Sequence, residues 1–108
     1  GGAISPGFGI ALEALVDRTA RLPRVEPVMP PSIIGKNTVH SIQAGMYFGF
    51  MGLVREIVAG MKAELGPSTK VVATGGQSPV YGSQGGLFDE VNPVLTLIGL
   101  RLISERNA

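Results

Sequence analysis

At 108 residues, with 44% hydrophobic and 16% charged residues, the chain has the length of one domain and enough apolar material for a packed core. A net charge of +1, with six aromatic residues and no basic run, leaves little electrostatic drive toward nucleic acid or an anionic membrane. The absence of cysteine excludes disulfides, thiolate metal sites and a cysteine nucleophile, and the single histidine, His40, excludes a histidine-based metal cluster within one chain.

The chain opens at Gly1-Gly2 without a methionine, and no charged segment leads into an apolar stretch with a cleavage site. The expectation is a start inside a longer protein. "GGAISPG" reads as a loop or strand end. In "GFGIALEALVDRTARL", Ile10, Leu12, Leu15, Val16 and Leu22 recur at near-helical spacing among Glu13, Asp17, Arg18 and Arg21, which predicts an amphipathic helix ending before Pro23. Residues 23 to 36 hold four prolines and read as an extended surface connection.

A long helix is expected from Asn37 or Thr38, both good N-caps, to Leu65, where Gly66-Pro67 stops it. Its apolar run "AGMYFGFMGLV", residues 44 to 54, is roughly half of what a bilayer crossing needs. Gly45, Gly49 and Gly52 fall on one face. Their cost to the helix suggests that another backbone approaches there and that the stretch is buried nearly all round. Residues 70 to 74 predict a short β-strand rich in branched side chains, and residues 77 to 86 a glycine-rich connection. Residues 87 to 91 predict a second strand. Asn92-Pro93 reads as a cap with proline in the first helical position, opening a last helix, "VLTLIGLRLISERN", that is apolar on more than one face. Three helices and two brief strands form an α/β inventory with too little sheet for its helices.

No complete catalytic constellation is visible. Glu13, Asp17, Glu56, Glu64 and Glu105 have the spacings of solvated helix faces, and the serines lack a nucleophile-elbow context. Asp89-Glu90 flank a strand and favour a structural reading, and His40 reads as surface or interface rather than general base. "GKNT" at residues 35 to 38 lacks the upstream glycine of a P-loop. Thr74-Gly75-Gly76, after the first strand, fits a plain strand-ending turn. That plain turn is the favoured reading of the motif alone; the other is a place where a ligand lies against bare backbone beyond a strand's carboxyl end.

In order and spacing, "GGAISPG", the amphipathic helix, the proline-rich stretch, "IGKNTVHSIQAGMYFGF", "VVATGG" and "VNPVLTLIGLRLISERN" resemble type III pantothenate kinases. The resemblance covers all 108 residues and corresponds to roughly the last two-fifths of that family. It implies the carboxyl-terminal half-domain of the acetate kinase, sugar kinase, Hsp70 and actin superfamily (a ribonuclease H-like fold), helix-rich and with an incomplete sheet. It further implies a cytoplasmic homodimer that phosphorylates pantothenate to 4'-phosphopantothenate, the first step of coenzyme A biosynthesis. The cofactors implied are ATP with Mg²⁺ and a monovalent cation, K⁺ or NH₄⁺; no nucleic acid and no membrane are implied as partners.

By the same resemblance Thr38 matches a threonine that contacts pantothenate, and Ile4 an apolar residue lining the pantothenate pocket across the dimer interface. Thr74, Gly75 and Gly76 match the adenosine motif. Gln77-Ser78-Pro79 stand where the family usually continues with residues such as Leu-Ala-Pro. The Asp-x-Gly-Asn-Thr phosphate loop, the Gly-x-Asp-Arg segment with the catalytic base, and the second phosphate motif are not in these residues. The chain by itself is therefore expected to be inactive, with no catalytic or metal-binding residue of its own. Two alternatives stay open: a regulatory relative that keeps the fold without phosphorylating anything, and a dimerisation module.

Overall fold

The structure, a computed structural model, describes residues 1–18, 22–75 and 86–108. The chain divides into two compact units, Gly1–Met61 and Lys62–Ala108. Helix α1 spans Phe8–Arg18 and helix α2 spans Thr38–Leu65. Two strands, β1 (Val72–Ala73) and β2 (Glu90–Val91), and helix α3 (Leu95–Arg106) follow. Among the described residues this is an α/β, helix-rich chain with a two-stranded parallel sheet. No helix of the described residues is long and apolar enough to cross a membrane.

In the first unit the core gathers Phe8 of α1 and the buried side chains along one face of α2. Phe8 is 3% exposed and meets Phe50 edge to face, with ring centroids 5.8 Å apart. Ala44, Tyr47 and Met51 are buried one turn apart along α2, and Ile42 is buried near its start. Gln43, on the same face, donates from Nε2 to the Glu26 carbonyl at 3.2 Å, so its buried amide ties the proline-rich segment to α2. Residues 23–36 contain no helix or strand, as their prolines predict, and Pro30 is drawn into the interior.

Two expectations are corrected here. Ile10 is 69% exposed, whereas Phe8, outside the apolar set read from spacing, is the side chain that α1 buries. One aromatic anchor orients the helix, and that rotation turns Ile10 to water. Among the described residues no other backbone approaches the glycines of α2 either: a Cβ added at Gly45, Gly49 or Gly52 would meet nothing within 4 Å. At about 100° per residue they lie opposite the face of Gln43, Tyr47 and Met51. The helix is thus buried on one side and open on the other.

In the second unit Gly66, with φ +115°, ends α2; its N–H donates to the Lys62 carbonyl at 2.8 Å. Strands β1 and β2 pair with Val72 opposite Glu90 and Ala73 opposite Val91. Each is shorter than the run that predicts it. The Asp89 carboxylate takes up the Val71 N–H at 2.6 Å, and the Asp89 and Asn92 N–H groups donate to the Val71 and Ala73 carbonyls at 2.8 Å. A side chain thereby completes what two rungs of ladder leave open, which is the structural role expected of Asp89.

Helix α3 begins at Leu95, two residues later than Asn92-Pro93 predicts. Asn92 Oδ1 accepts the Val94 N–H at 3.2 Å, and this local turn holds Pro93 outside the helix. No α3 residue is buried, and Leu97, Leu100 and Ile103 are each more than half exposed. The Arg101–Glu105 pair at 3.7 Å is exposed at both ends and adds little.

Phe8→Ala is expected to lower the free energy of unfolding by about 3–5 kcal/mol, and Ile10→Ala by less than about 0.5 kcal/mol. Urea denaturation of the two variants side by side checks the assignment of the anchor.

Candidate functional site

A wide, open concavity lies at the start of α2. Asn37 sets it up: its Oδ1 accepts the His40 N–H at 2.8 Å, and its carbonyl accepts the Ser41 N–H at 2.9 Å. This is the N-cap arrangement that asparagine favours, and it fixes Thr38 as the first residue of the helix. Thr38 and Ser41, three residues apart and hence on neighbouring positions of one face, line a cavity of 540 Å³ with Leu22, Gly35, Lys36, Asn37 and Ile42. Two hydroxyls and an ammonium face an aliphatic wall. Such a lining can donate to carboxylate or carbonyl oxygens and accept from a hydroxyl.

Gly35 holds this geometry by being glycine. A Cβ there would overlap the backbone nitrogen, Cα and Oγ of Ser41, so the loop before the cap reaches the first turn of α2 only without a side chain. The sequence marks Gly35 and Lys36 only as the end of the proline-rich connection, and Ser41 only as a serine without a nucleophile-elbow context. The available signal was the spacing of Ser41 from Thr38 one turn along the same helix.

A second, smaller cavity of 270 Å³ adjoins through Lys36, which lines both; its other walls are Pro31, Ser32, Ile34 and His40. His40 is half-buried rather than free on the surface. Ile4 is fully exposed in the segment before α1 and lines neither cavity.

Thr74 and Gly75 belong to the second unit and follow β1 directly. Gly75 has φ +102°, a conformation that side-chain-bearing residues rarely adopt, and a Cβ there would meet nothing within 4 Å. The turn after β1 thus takes a conformation suited to glycine, with room beside the Gly75 Cα, at the carboxyl end of a parallel strand. Gly76, and with it Gln77-Ser78-Pro79, lies outside the described residues. Among the described residues no group of three or more His, Asp or Glu side chains could hold a metal ion.

Gly35→Ala is expected to displace the amide resonances of Thr38 and Ser41 and to cost about 1–3 kcal/mol of stability. Asn37→Ala should cost about 1 kcal/mol with smaller spectral change. A Gly35→Ala spectrum that overlays the parent would show that the close approach is not needed.

The family model described as type III pantothenate kinase matches residues 1–60. Over 107 residues, 99% of this chain, it is 54% identical to the type III pantothenate kinase of Moorella thermoacetica. Over the same share it is 50% identical to those of Koribacter versatilis and Geobacillus kaustophilus. These alignments take in 42%, 39% and 42% of the respective relatives, so the chain spans about two fifths of the length of the curated proteins it matches. A family match over more than half the chain, with identity near one residue in two along nearly all of it, places this chain in the type III pantothenate kinase family.

Proposed function

We propose that the chain is the carboxyl-terminal part of an ATP-dependent kinase that phosphorylates pantothenate to 4'-phosphopantothenate, the first step of coenzyme A biosynthesis. The observation that carries this reading is the position of Thr38. In a chain of this family, the residue expected to contact pantothenate stands on the wall of a 540 Å³ cavity with Ser41 and Lys36 beside it. Pantothenate carries a carboxylate, an amide and two hydroxyls, and the donors and acceptors of that wall suit such a molecule.

The second half of the reading rests on Thr74 and Gly75. A purine or ribose needs backbone without side chains in the way, and the room beside the Gly75 Cα, at the end of β1 where ligands of α/β sheets commonly sit, supports this reading. Gly76 is assigned to the same motif by sequence. Ile4, fully exposed on its own chain, suits a residue that completes the pantothenate pocket of a second copy in a homodimer. In this reading the fold is a half-domain of the acetate kinase, sugar kinase, Hsp70 and actin superfamily, and the enzyme is cytoplasmic.

Phosphoryl transfer consists largely of positioning and charge neutralisation. The residues described here can position; none is placed as base or phosphate clamp. Mg²⁺ would travel with ATP, and K⁺ or NH₄⁺ would neutralise phosphate charge. The described residues hold no cluster of three or more His, Asp or Glu side chains for a metal ion, and no step is assigned to either cation. The 108 residues alone are accordingly expected to show no turnover.

In the complete kinase, Thr38→Val should raise KM for pantothenate by about tenfold or more, the scale of a lost hydrogen bond to a polar substrate, with KM for ATP unchanged. Gly75→Val should do the converse. Steady-state kinetics with each substrate varied in turn tests both; equal effects on the two constants would overturn the division of the pockets.

A further inference from the structure

The smaller cavity at the start of α2 presents hydrogen-bond donors and, among the described residues, no charged acceptor. Each of its three polar side chains reaches this state for its own reason. Ser32 Oγ accepts the Ile34 N–H at 3.3 Å, which leaves the hydroxyl proton to donate. Lys36 has only donors and makes no ion pair among the described residues.

For His40 the argument runs through the helix cap. Asn37 Oδ1 is taken by the His40 N–H, so the other end of that amide is its NH₂ group, and this faces His40 Nδ1 at 3.2 Å. The ring nitrogen has to accept. The neutral imidazole therefore carries its proton on Nε2, and its free edge is a donor. Among the described residues no carboxylate lines the cavity, and Pro31 and Ile34 supply an apolar wall. A hydroxyl proton, an imidazole N–H and an ammonium gathered around 270 Å³ match a small oxyanion, and the apolar wall leaves space for a short aliphatic tail.

We infer that Ser32, Lys36 and His40 form a binding site for a small oxyanion, a carboxylate or a phosphate, separate from the Thr38 cavity and joined to it through Lys36. The sharing of Lys36 makes the two cavities compete for one ammonium group. An anion held by Ser32 and His40 would draw that charge away from the Thr38 side, and a ligand at Thr38 would draw it back.

The test is a titration of the intact protein with inorganic phosphate in one series and propionate in another. Ionic strength is held constant with sodium chloride while the amide and imidazole resonances of Ser32, Lys36 and His40 are followed. Saturable shifts at these three residues are expected with at least one of the anions. Phosphate alone would identify a phosphoryl group as the ligand chemistry, and propionate alone a carboxylate with an aliphatic tail. Lys36→Met should weaken binding by about tenfold or more, the scale of a lost charge-assisted hydrogen bond, and Lys36→Arg should largely restore it. Both substitutions fall on an exposed residue, so the fold is not at stake. Thr38→Val should leave the affinity within twofold. Shifts that do not saturate, that chloride alone reproduces, or that survive Lys36→Met unchanged would overturn the site. A protein that binds these anions yet does not use pantothenate would leave this inference standing and remove the kinase reading.

Discussion

The hydrogen bond from the His40 N–H to Asn37 Oδ1 is small in energy and large in consequence. It sets the first residue of α2, and through that residue it decides which side chains border the cavities. Thr38 and Ser41 face one concavity because the helix starts where it does; His40 borders the other, its tautomer dictated by the same amide. Gly35 reinforces the arrangement from the loop side by lying against Ser41 where no side chain would fit. A cap and a missing Cβ thus organise the part of the chain with the most chemistry in it.

Much of this was legible in the sequence, and the failures have identifiable causes. The bounds of α2 follow from local chemistry alone, since Asn37 caps and Gly66 stops, and neither depends on distant contacts. On α1 the spacing holds for Leu12, Leu15 and Val16, half-buried while Glu13 and Asp17 are exposed, and fails at Ile10, which lies across the helix from the Phe8 ring that meets Phe50. The strands were drawn too long because branched residues advertise a strand but only a partner in register makes one. Thr38 and the Thr74-Gly75 turn were nominated through a family pattern. Lys36 and Ser41 were not, because a lysine before a cap and a serine within a helix have no signature until the cavity is formed.

The open surfaces of the molecule follow one theme. The glycine side of α2 offers a smooth backbone with nothing against it, and α3 holds Leu97, Leu100 and Ile103 largely in water. Apolar stripes of this kind in soluble proteins normally mark a surface that other protein covers. A chain spanning two fifths of its relatives has ample cause to carry them.

The parallel pairing of β1 and β2 has a consequence for the second unit. Because the strands run the same way, Thr74 and Asn92 leave the sheet at a common rim, with the Asn92 N–H still bonded to the Ala73 carbonyl. The backbone that departs after Thr74 and the backbone that enters α3 are thereby moored side by side. A length change in either connection must be absorbed at that shared doorstep, and whatever rests on Gly75 also has the entrance of α3 for a neighbour.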